Sequence, residues 1–409
     1  FNAALEFLVH GCGSSVVLCT ATQPLLDKVE PSPHALKIDG KIIENEKELY
    51  EQLRRVEVFD KRKVGPGWTD EEVAELVAQE LDVKGSVLIV VNTKNSASSL
   101  YQTLAAHNSA EMVYHLSTKM CPAHRLKKLN EIRAKLANNE PVICVSTQLI
   151  EAGVDIDFGS VIRYLAGLDS ITQAAGRCNR SGKQKDENGK RVLGNVFIVN
   201  PADESIDRLI DIKKGLKVTE RVLGEFDNNS ENFGYDRLGL DAMKQYYEYY
   251  FYQRKDEMAY YVGPDSLAGQ EDNLFNLLSR NVIAAKRDRS IMGSAPSFIF
   301  KQSFQTASKI FQPIETLTRG VIVPYGDEGQ EIINQLCSTA ELEKQYKLIK
   351  KAQRYAVNLF PHEFKKLADL DAIREVQNGA GIYYLNEQYY SNEFGWNEEI
   401  VNLMKFQSI

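Results

Sequence analysis

With 409 residues, 43% hydrophobic and 26% charged side chains and a net charge of −7, the chain has the size of two or three compact units and an ordinary globular composition. No apolar run approaches the roughly 18–20 residues that cross a bilayer, so no membrane partner is expected. The acidic balance gives no support for nucleic-acid binding and does not exclude it, since a binding groove needs only local positive charge.

Taken in chain order, Phe1-Asn2-Ala3 offers neither an initiator Met nor a basic stretch leading into an apolar one. It does not read as a signal peptide; it reads as a chain entered partway. Ser15–Thr20 has the character of a buried strand and Glu30–Gly40 is turn-rich and polar. Residues 1–54 cannot close a core alone and read as the remnant of a preceding unit.

Residues 55–205 alternate short β-branched runs with helical periods. The runs are Ser86–Asn92, Met112–Leu116, Val142–Thr147, Val161–Leu165 and Val196–Val199. Between them, Ala97, Leu100, Tyr101 and Leu104 recur at helical spacing, and a second helix opens at Pro122 with Leu126, Leu129, Ile132 and Leu136 on one face. Thr69-Asp70 caps a further amphipathic helix through Val73, Leu76 and Val77. Nearly continuous apolar strands separated by helices predict an α/β lobe with a parallel sheet covered on both faces.

Residues 206–315 are dominated by charged helical periods with an aromatic cluster at Tyr246–Tyr252, where interdomain packing outweighs base stacking as a reading. Residues 316–409 carry a strand at Gly320–Tyr325, a helix over Glu341–Arg354 and a hairpin around Asn378-Gly379. Together these predict a helical linker and a small α+β C-terminal domain. Lys344, Lys347, Lys351 and Arg354 fall on one face of that helix and read as a solvated surface. The six cysteines are scattered with no Cys-x-x-Cys pair, and Cys19 and Cys144 lie in apolar runs as core residues. Zinc and disulfide frameworks are thereby disfavoured, and a reducing, cytoplasmic compartment is expected.

Two segments carry chemistry. In Val145-Ser-Thr-Gln-Leu-Ile-Glu-Ala-Gly-Val-Asp-Ile-Asp-Phe158, an apolar strand ends in Ser146, Thr147 and Gln148. Small hydrogen-bonding groups are thus placed at the carboxyl edge of a parallel sheet, where open α/β sheets bind ligands. Gly153 would allow close backbone approach, and Asp155 would bring a carboxylate near a nucleotide ribose or a metal-bound phosphate. Gln173-Ala-Ala-Gly-Arg-Cys-Asn-Arg-Ser-Gly182 then sets Arg177 and Arg180 three apart, on one face of a helix. Two guanidinium groups projecting together can hold a γ-phosphate and the charge that develops as it transfers.

These segments resemble motifs V and VI of superfamily 2 helicases; Thr20-Ala-Thr-Gln-Pro24 resembles motif III, and Val91-Asn-Thr-Lys-Asn95 motif IV. The stretch His115-Leu-Ser-Thr-Lys-Met-Cys-Pro-Ala-His-Arg125 and the Thr-Gln-Pro form of motif III are most similar to the CRISPR-associated helicase-nuclease of type I systems. So are Gln302–Ser308, Gly320–Gly326 and Gln353–Val357, with I-C the subtype indicated. The resemblance implies a RecA-like second helicase lobe and ATP contacts from Gly153, Asp155, Gln173, Arg177 and Arg180, the two arginines acting as arginine fingers. It further implies single-stranded DNA held by Thr93, Ser117, Ser146, Thr147 and Gln148, and coupling of nucleotide state to lobe closure by Thr20 and Thr22. The implied partners are single-stranded DNA, an RNA-guided CRISPR effector complex, and the first helicase lobe and nuclease domain of the same protein.

Departures from the family pattern qualify this. The sequence contains no Gly-x-x-x-x-Gly-Lys-Ser/Thr phosphate loop; Gly176 to Gly182-Lys183-Gln184 has the wrong spacing and ending. Asp70-Glu-Glu-Val73 mimics an Asp-Glu box but reads as a helix start, and Gly11-Cys-Gly13 precedes its strand rather than following it. None of the six histidines is followed by Asp, as the nuclease metal cluster would require, and His115 and His124 read as packing or hydrogen-bonding residues. ATP and Mg2+ would be held mostly by the first lobe, no metal site is assigned, and this chain alone is expected to be inactive. The competing reading is a non-catalytic DNA- or protein-docking module from a split or degenerate helicase.

Overall fold

The structure, a computed structural model, describes residues 2–20, 25–28, 35–109, 111–151, 153–185, 188–254, 257, 260–294, 297, 301–312, 318–339, 341–377 and 379–401. Thr22 and its neighbours at 21, 23 and 24, residues 30–34 of the turn-rich stretch, and Asn378 lie outside them. The chain divides into two compact units, one of residues 1–19, 23–41 and 247–316, the other of residues 20–22, 42–246 and 317–409.

The larger unit is built on a parallel sheet of β1 (Val56–Asp60), β2 (Ser86–Val91), β3 (Val113–Leu116), β4 (Val142–Thr147), β5 (Ser160–Tyr164) and β6 (Gly194–Val199), in the order β1-β6-β5-β2-β4-β3. All five pairings are parallel. The central strands β2, β4 and β5 are buried along their whole length, which is why they read as unbroken apolar runs. Each fully buried Val, Ile or Leu there stabilises the fold by about 1.5–3 kcal/mol. Helices α1 (Asp70–Lys84), α2 (Lys94–His107), α3 (Pro122–Ala137) and α4 (Leu168–Ala175) link the strands. The start of α1 is a capping box: Thr69 Oγ1 accepts from the Glu72 N–H and the Glu72 carboxylate accepts from the Thr69 N–H. The Asp70-Glu-Glu run is therefore a helix start, as read. This is the α/β, RecA-like lobe expected.

Helix α5 (Ile210–Asn228) buries Val218, Val222, Leu223 and Phe226 and approaches α4 so closely that a Cβ at Gly215 would come within 3.0 Å of the Gly167 Cα. Downstream, β7 (Arg319–Ile322), β8 (Ala356–Leu359), β9 (Ile373–Glu375) and β10 (Tyr383–Leu385) form a mixed sheet in the order β8-β7-β10-β9. Helices Gly326–Ser338, Leu342–Ala352 and Pro361–Asp369 accompany it. Its core, including Val321, Val323, Ile332, Leu336, Val357 and Leu367, extends to Cys121 of the lobe. The antiparallel pairing of β9 with β10 supplies the expected hairpin. On the basic helix, Lys344 and Lys347 are exposed and pair with Glu341 and Glu343 of the same segment, the solvated face that was read.

The smaller unit is helical, with Val282–Met292 and Phe304–Ile310, a two-residue ladder between Tyr261–Val262 and Asp272–Asn273, and a minor core of Val262, Leu277 and Ala307. Here one expectation fails. Ser15–Thr20 forms no strand, and Cys19 is exposed while Cys144 is buried. An apolar run that joins no sheet among the described residues stays irregular. A second correction concerns α3. Leu126 is exposed, and the buried positions are His124 and Ile132; a polar residue with partners took the place that hydrophobic spacing assigned to leucine.

Candidate functional site

The adjacency of β2 and β4 pairs Val91 with Thr147, so the segments leaving the two strands emerge side by side. Thr93 caps α2, its hydroxyl accepting from the Ser96 N–H at 3.0 Å. With Thr147 and Gln148 it lines a cavity of about 470 Å³ whose other walls include Lys94, Lys119, His362, Glu363 and Trp396. Lys94 and Lys119 lie over the Trp396 ring at 5.4 and 5.1 Å, and Lys94 pairs with Glu363. Burial, and then the charge of Lys94, hold the Lys119 ammonium below its ordinary pKa. The same wall carries the carboxylates of Glu363 and Glu398, so the two lysines face opposite charge within the cavity. Ser117 and Ser146 are fully buried and stand off this wall; the Ser146 hydroxyl donates to the Thr147 carbonyl at 2.9 Å.

The second cluster lies where β4 gives way to a single 3-10 turn, Gln148–Ile150. Gly153 has φ +71°, and a Cβ there would meet nothing within 4 Å. The glycine therefore supplies a left-handed turn with open space beside its Cα. Helix α4 ends at Ala175, so Arg177 and Arg180 do not share a helical face. The cause is a competing extended pairing with Phe158. The Phe158 N–H donates to the Arg177 carbonyl and the Asn179 N–H to the Phe158 carbonyl, both at 2.9 Å. Asn179, at φ +45°, turns the chain and anchors it through donation to the Arg55 and Val192 carbonyls. Gly194 leaves room for the Cys178 thiol, which a Cβ would meet at 2.5 Å.

The arginines consequently differ. Arg177 is buried; its Nε donates to the Ile150 carbonyl at 3.0 Å and a terminal nitrogen to the Glu151 carbonyl. Burial, then the neighbouring Arg180 charge, lower its pKa, with Asp155 and Glu151 opposing. Arg180 is exposed and pairs with Asp155 at 2.9 Å, the two side chains being 43% and 86% accessible. Asp157, which the sequence did not single out, holds the turn: its carboxylate accepts from the Arg180 N–H at 2.7 Å, the Ser181 N–H at 3.0 Å and the Ser181 hydroxyl. Gln173 is half-buried on α4, and Thr20 is exposed.

Sequence reading also missed a buried polar network behind both clusters. Arg163, within the apolar strand β5, is fully buried. It pairs with Glu151 at 3.1 Å and donates to Asn92 Oδ1 and Ser170 Oγ, both at 2.8 Å, and to the Val90 and Tyr164 carbonyls. The Ser170 hydroxyl in turn bonds the Glu151 carboxylate at 2.8 Å. Glu204 accepts from the Asn92 side chain at 2.7 Å and from the backbone N–H groups of Asn92 and Thr93 at 2.9 and 3.0 Å. A charged residue inside a β-branched run was the available signal.

The histidines take the packing and hydrogen-bonding parts read for them. His124 stacks on Tyr325 with centroids 4.2 Å apart. Its Nε2 faces the Asn392 carbonyl at 3.0 Å and so carries the proton, leaving Nδ1 to accept from the Tyr390 hydroxyl. His115 packs against Tyr101 and Phe394.

Residues 83–183 match the family model for the CRISPR-associated nuclease/helicase Cas3, C-terminal. A CRISPR-associated nuclease/helicase Cas3 of Methanothermobacter thermautotrophicus is 28% identical over 183 residues, 44% of this chain and 21% of that protein. Its counterpart in Haloferax volcanii is 45% identical over 83 residues, 20% of this chain and 9% of that protein. A solved CRISPR-associated protein aligns over 96% of this chain and 45% of its own at 14% identity, with a TM-score of 0.49. The matched segments thus span about a fifth or less of the curated relatives. Over residues 83–183, which include Thr93, Thr147, Gln148, Arg177 and Arg180, the chain is similar to the C-terminal part of the CRISPR-associated nuclease/helicase Cas3.

Proposed function

We infer that this chain is part of an ATP-driven single-stranded DNA translocase with an associated nuclease, acting in CRISPR antiviral defence with an RNA-guided effector complex, type I and subtype I-C. The observation that carries the reading is the state of the two arginines. Arg177 is a buried cation held by the Ile150 and Glu151 carbonyls, and Arg180 is tied to a carboxylate that is 86% accessible. An exposed pair of that kind contributes about 0–1 kcal/mol, so Arg180 can exchange Asp155 for a phosphate at little cost.

These residues fit one edge of a nucleotide. Arg177 and Arg180 would hold the terminal phosphate, Gly153, Asp155 and Gln173 would border the nucleoside, and the remaining contacts and Mg2+ would come from a first lobe. When bound there, ATP supplies the phosphoryl group whose loss drives translocation. Arg177 and Arg180 would act as arginine fingers, a contribution typically worth ~10³–10⁵ in rate. On the other cluster, Thr93, Thr147 and Gln148 with Lys94 and Lys119 would hold a single strand by its phosphates, independent of sequence. Ser117 and Ser146 would join only after the lobe rearranges, and Thr20 and Thr22 would link nucleotide state to closure.

The test is complementation. This chain is mixed with a separately expressed first lobe of a Cas3-type helicase, and ATP hydrolysis is measured with and without oligo-dT. DNA-stimulated hydrolysis that Arg180→Ala abolishes supports the motor. Complementation indifferent to Arg180→Ala would establish the docking module in its place.

A further inference from the structure

The network around Arg163 is more than the fold needs. Replacing a buried ion pair with apolar residues of similar volume is often neutral or stabilising, yet β5 places a guanidinium among Val161, Ile162 and Tyr164. All of its neighbours belong to segments that reach one cluster or the other. Glu151 supplies through its backbone one of the two carbonyls that hold Arg177, and through its side chain a carboxylate bound by Arg163 and Ser170. Asn92 meets Arg163 with its side-chain oxygen and Glu204 with its side-chain nitrogen, while Glu204 also grips the Thr93 N–H. One guanidinium with five fixed donors thus spans the ends of β2 and β5, the turn after β4 and the start of α4.

We propose that Arg163 and Glu151 form a positioning relay: they fix the turn that orients Arg177 and tie its setting, through Asn92 and Glu204, to the backbone at Thr93. The relay rests on the motor reading for its purpose and, for its existence, on the Arg163–Glu151 ion pair and the hydrogen bonds through Ser170, Asn92 and Glu204. A shift of the Thr93 backbone on a strand would pull Glu204 and Asn92 and rotate Arg163 against Glu151. The Ile150 and Glu151 carbonyls would move with it, and Arg177 with them.

Amide exchange on the full chain tests it, using Arg163→Met/Glu151→Met, which removes both buried charges together. The relay predicts a folded protein in which exchange rises at least about tenfold at both Asn92–Lys94 and Arg177–Asn179 while Val113–Leu116 keeps its protection. Parental protection at both places, or a response at only one, would overturn it. Ser170→Ala, which leaves Arg163 and Glu151 in place, covers the case in which the double variant does not fold. It should raise exchange at Arg177–Asn179 by about threefold, and no change there would overturn the relay equally. In the complementation assay, the double variant should lose about tenfold in DNA stimulation of hydrolysis at saturating ATP while retaining DNA binding, a loss of coupling that packing alone would not cause. Absent hydrolysis by the unaltered chain, with exchange responding at both places, would count against the motor and leave the relay standing.

Discussion

The two ends of the site are held by opposite means. Behind Thr93 and Glu151, Arg163 is wholly buried and Glu151 nearly so, and burial pushes the Glu151 carboxyl up against the pull of Arg163. Around Arg180, the pair with Asp155 is open to solvent. Water screens the second arrangement and cannot reach the first, so only the first can transmit a displacement without dissipating it. The largest expected effect breaks that contrast at its buried end. Arg163→Met alone strands the Glu151 carboxylate and should lower unfolding stability by about 3–5 kcal/mol in urea titration. A loss below about 1 kcal/mol would mean that water reaches Glu151 and that the two ends are not different in kind.

The seam between the lobe and the mixed sheet extends the comparison to pH. Burial, followed by nearby lysine charges for His124, takes both His115 and His124 down to about 3. Both are neutral in the folded protein near pH 7, whereas an unfolded histidine titrates near 6.5. Their contribution is therefore fully present above about pH 6.5 and is lost as pH falls toward 3, where the unfolded chain binds more protons. Between pH 7.5 and 5, stability should fall by about 2 kcal/mol for each histidine. Urea midpoints across that range measure it, and His115→Leu should flatten the slope by about half. A midpoint independent of pH would place both rings in contact with solvent.

Much of this arrangement was legible in the sequence, for identifiable reasons. Strands β2, β4 and β5 announced themselves because both faces are buried, and α1 because its cap is written locally in Thr69 and Glu72. Thr147 and Gln148 could be placed at the carboxyl edge because strand ends in a parallel sheet share a side, whereas Thr93 rested on the resemblance of its segment to a helicase motif. The turn at Arg177 was not legible: Gln173–Arg180 has helical spacing, and only the partner at Phe158, many residues away in sequence, unwinds it. Asp157 and Glu204 escaped notice for the same reason, since a carboxylate's partners are set by tertiary contact. Ser15–Thr20 misled in the other direction, having strand character while forming no strand among the described residues.

The exposed end gives the smaller effects, and their order is informative. Asp157→Ala removes three hydrogen bonds to the Arg180 turn and should cost about 1–2 kcal/mol, measured by thermal unfolding. Arg180→Ala should cost less than about 1 kcal/mol, because its partner Asp155 is already hydrated. A near-silent effect on stability, set beside abolished hydrolysis in complementation, would mark Arg180 as a residue retained for a ligand and not for the fold. If Arg180→Ala instead destabilised the chain as much as Asp157→Ala does, the Asp155 pair would be a structural clamp. The ease with which Arg180 is supposed to exchange a carboxylate for a phosphate would then have no physical basis.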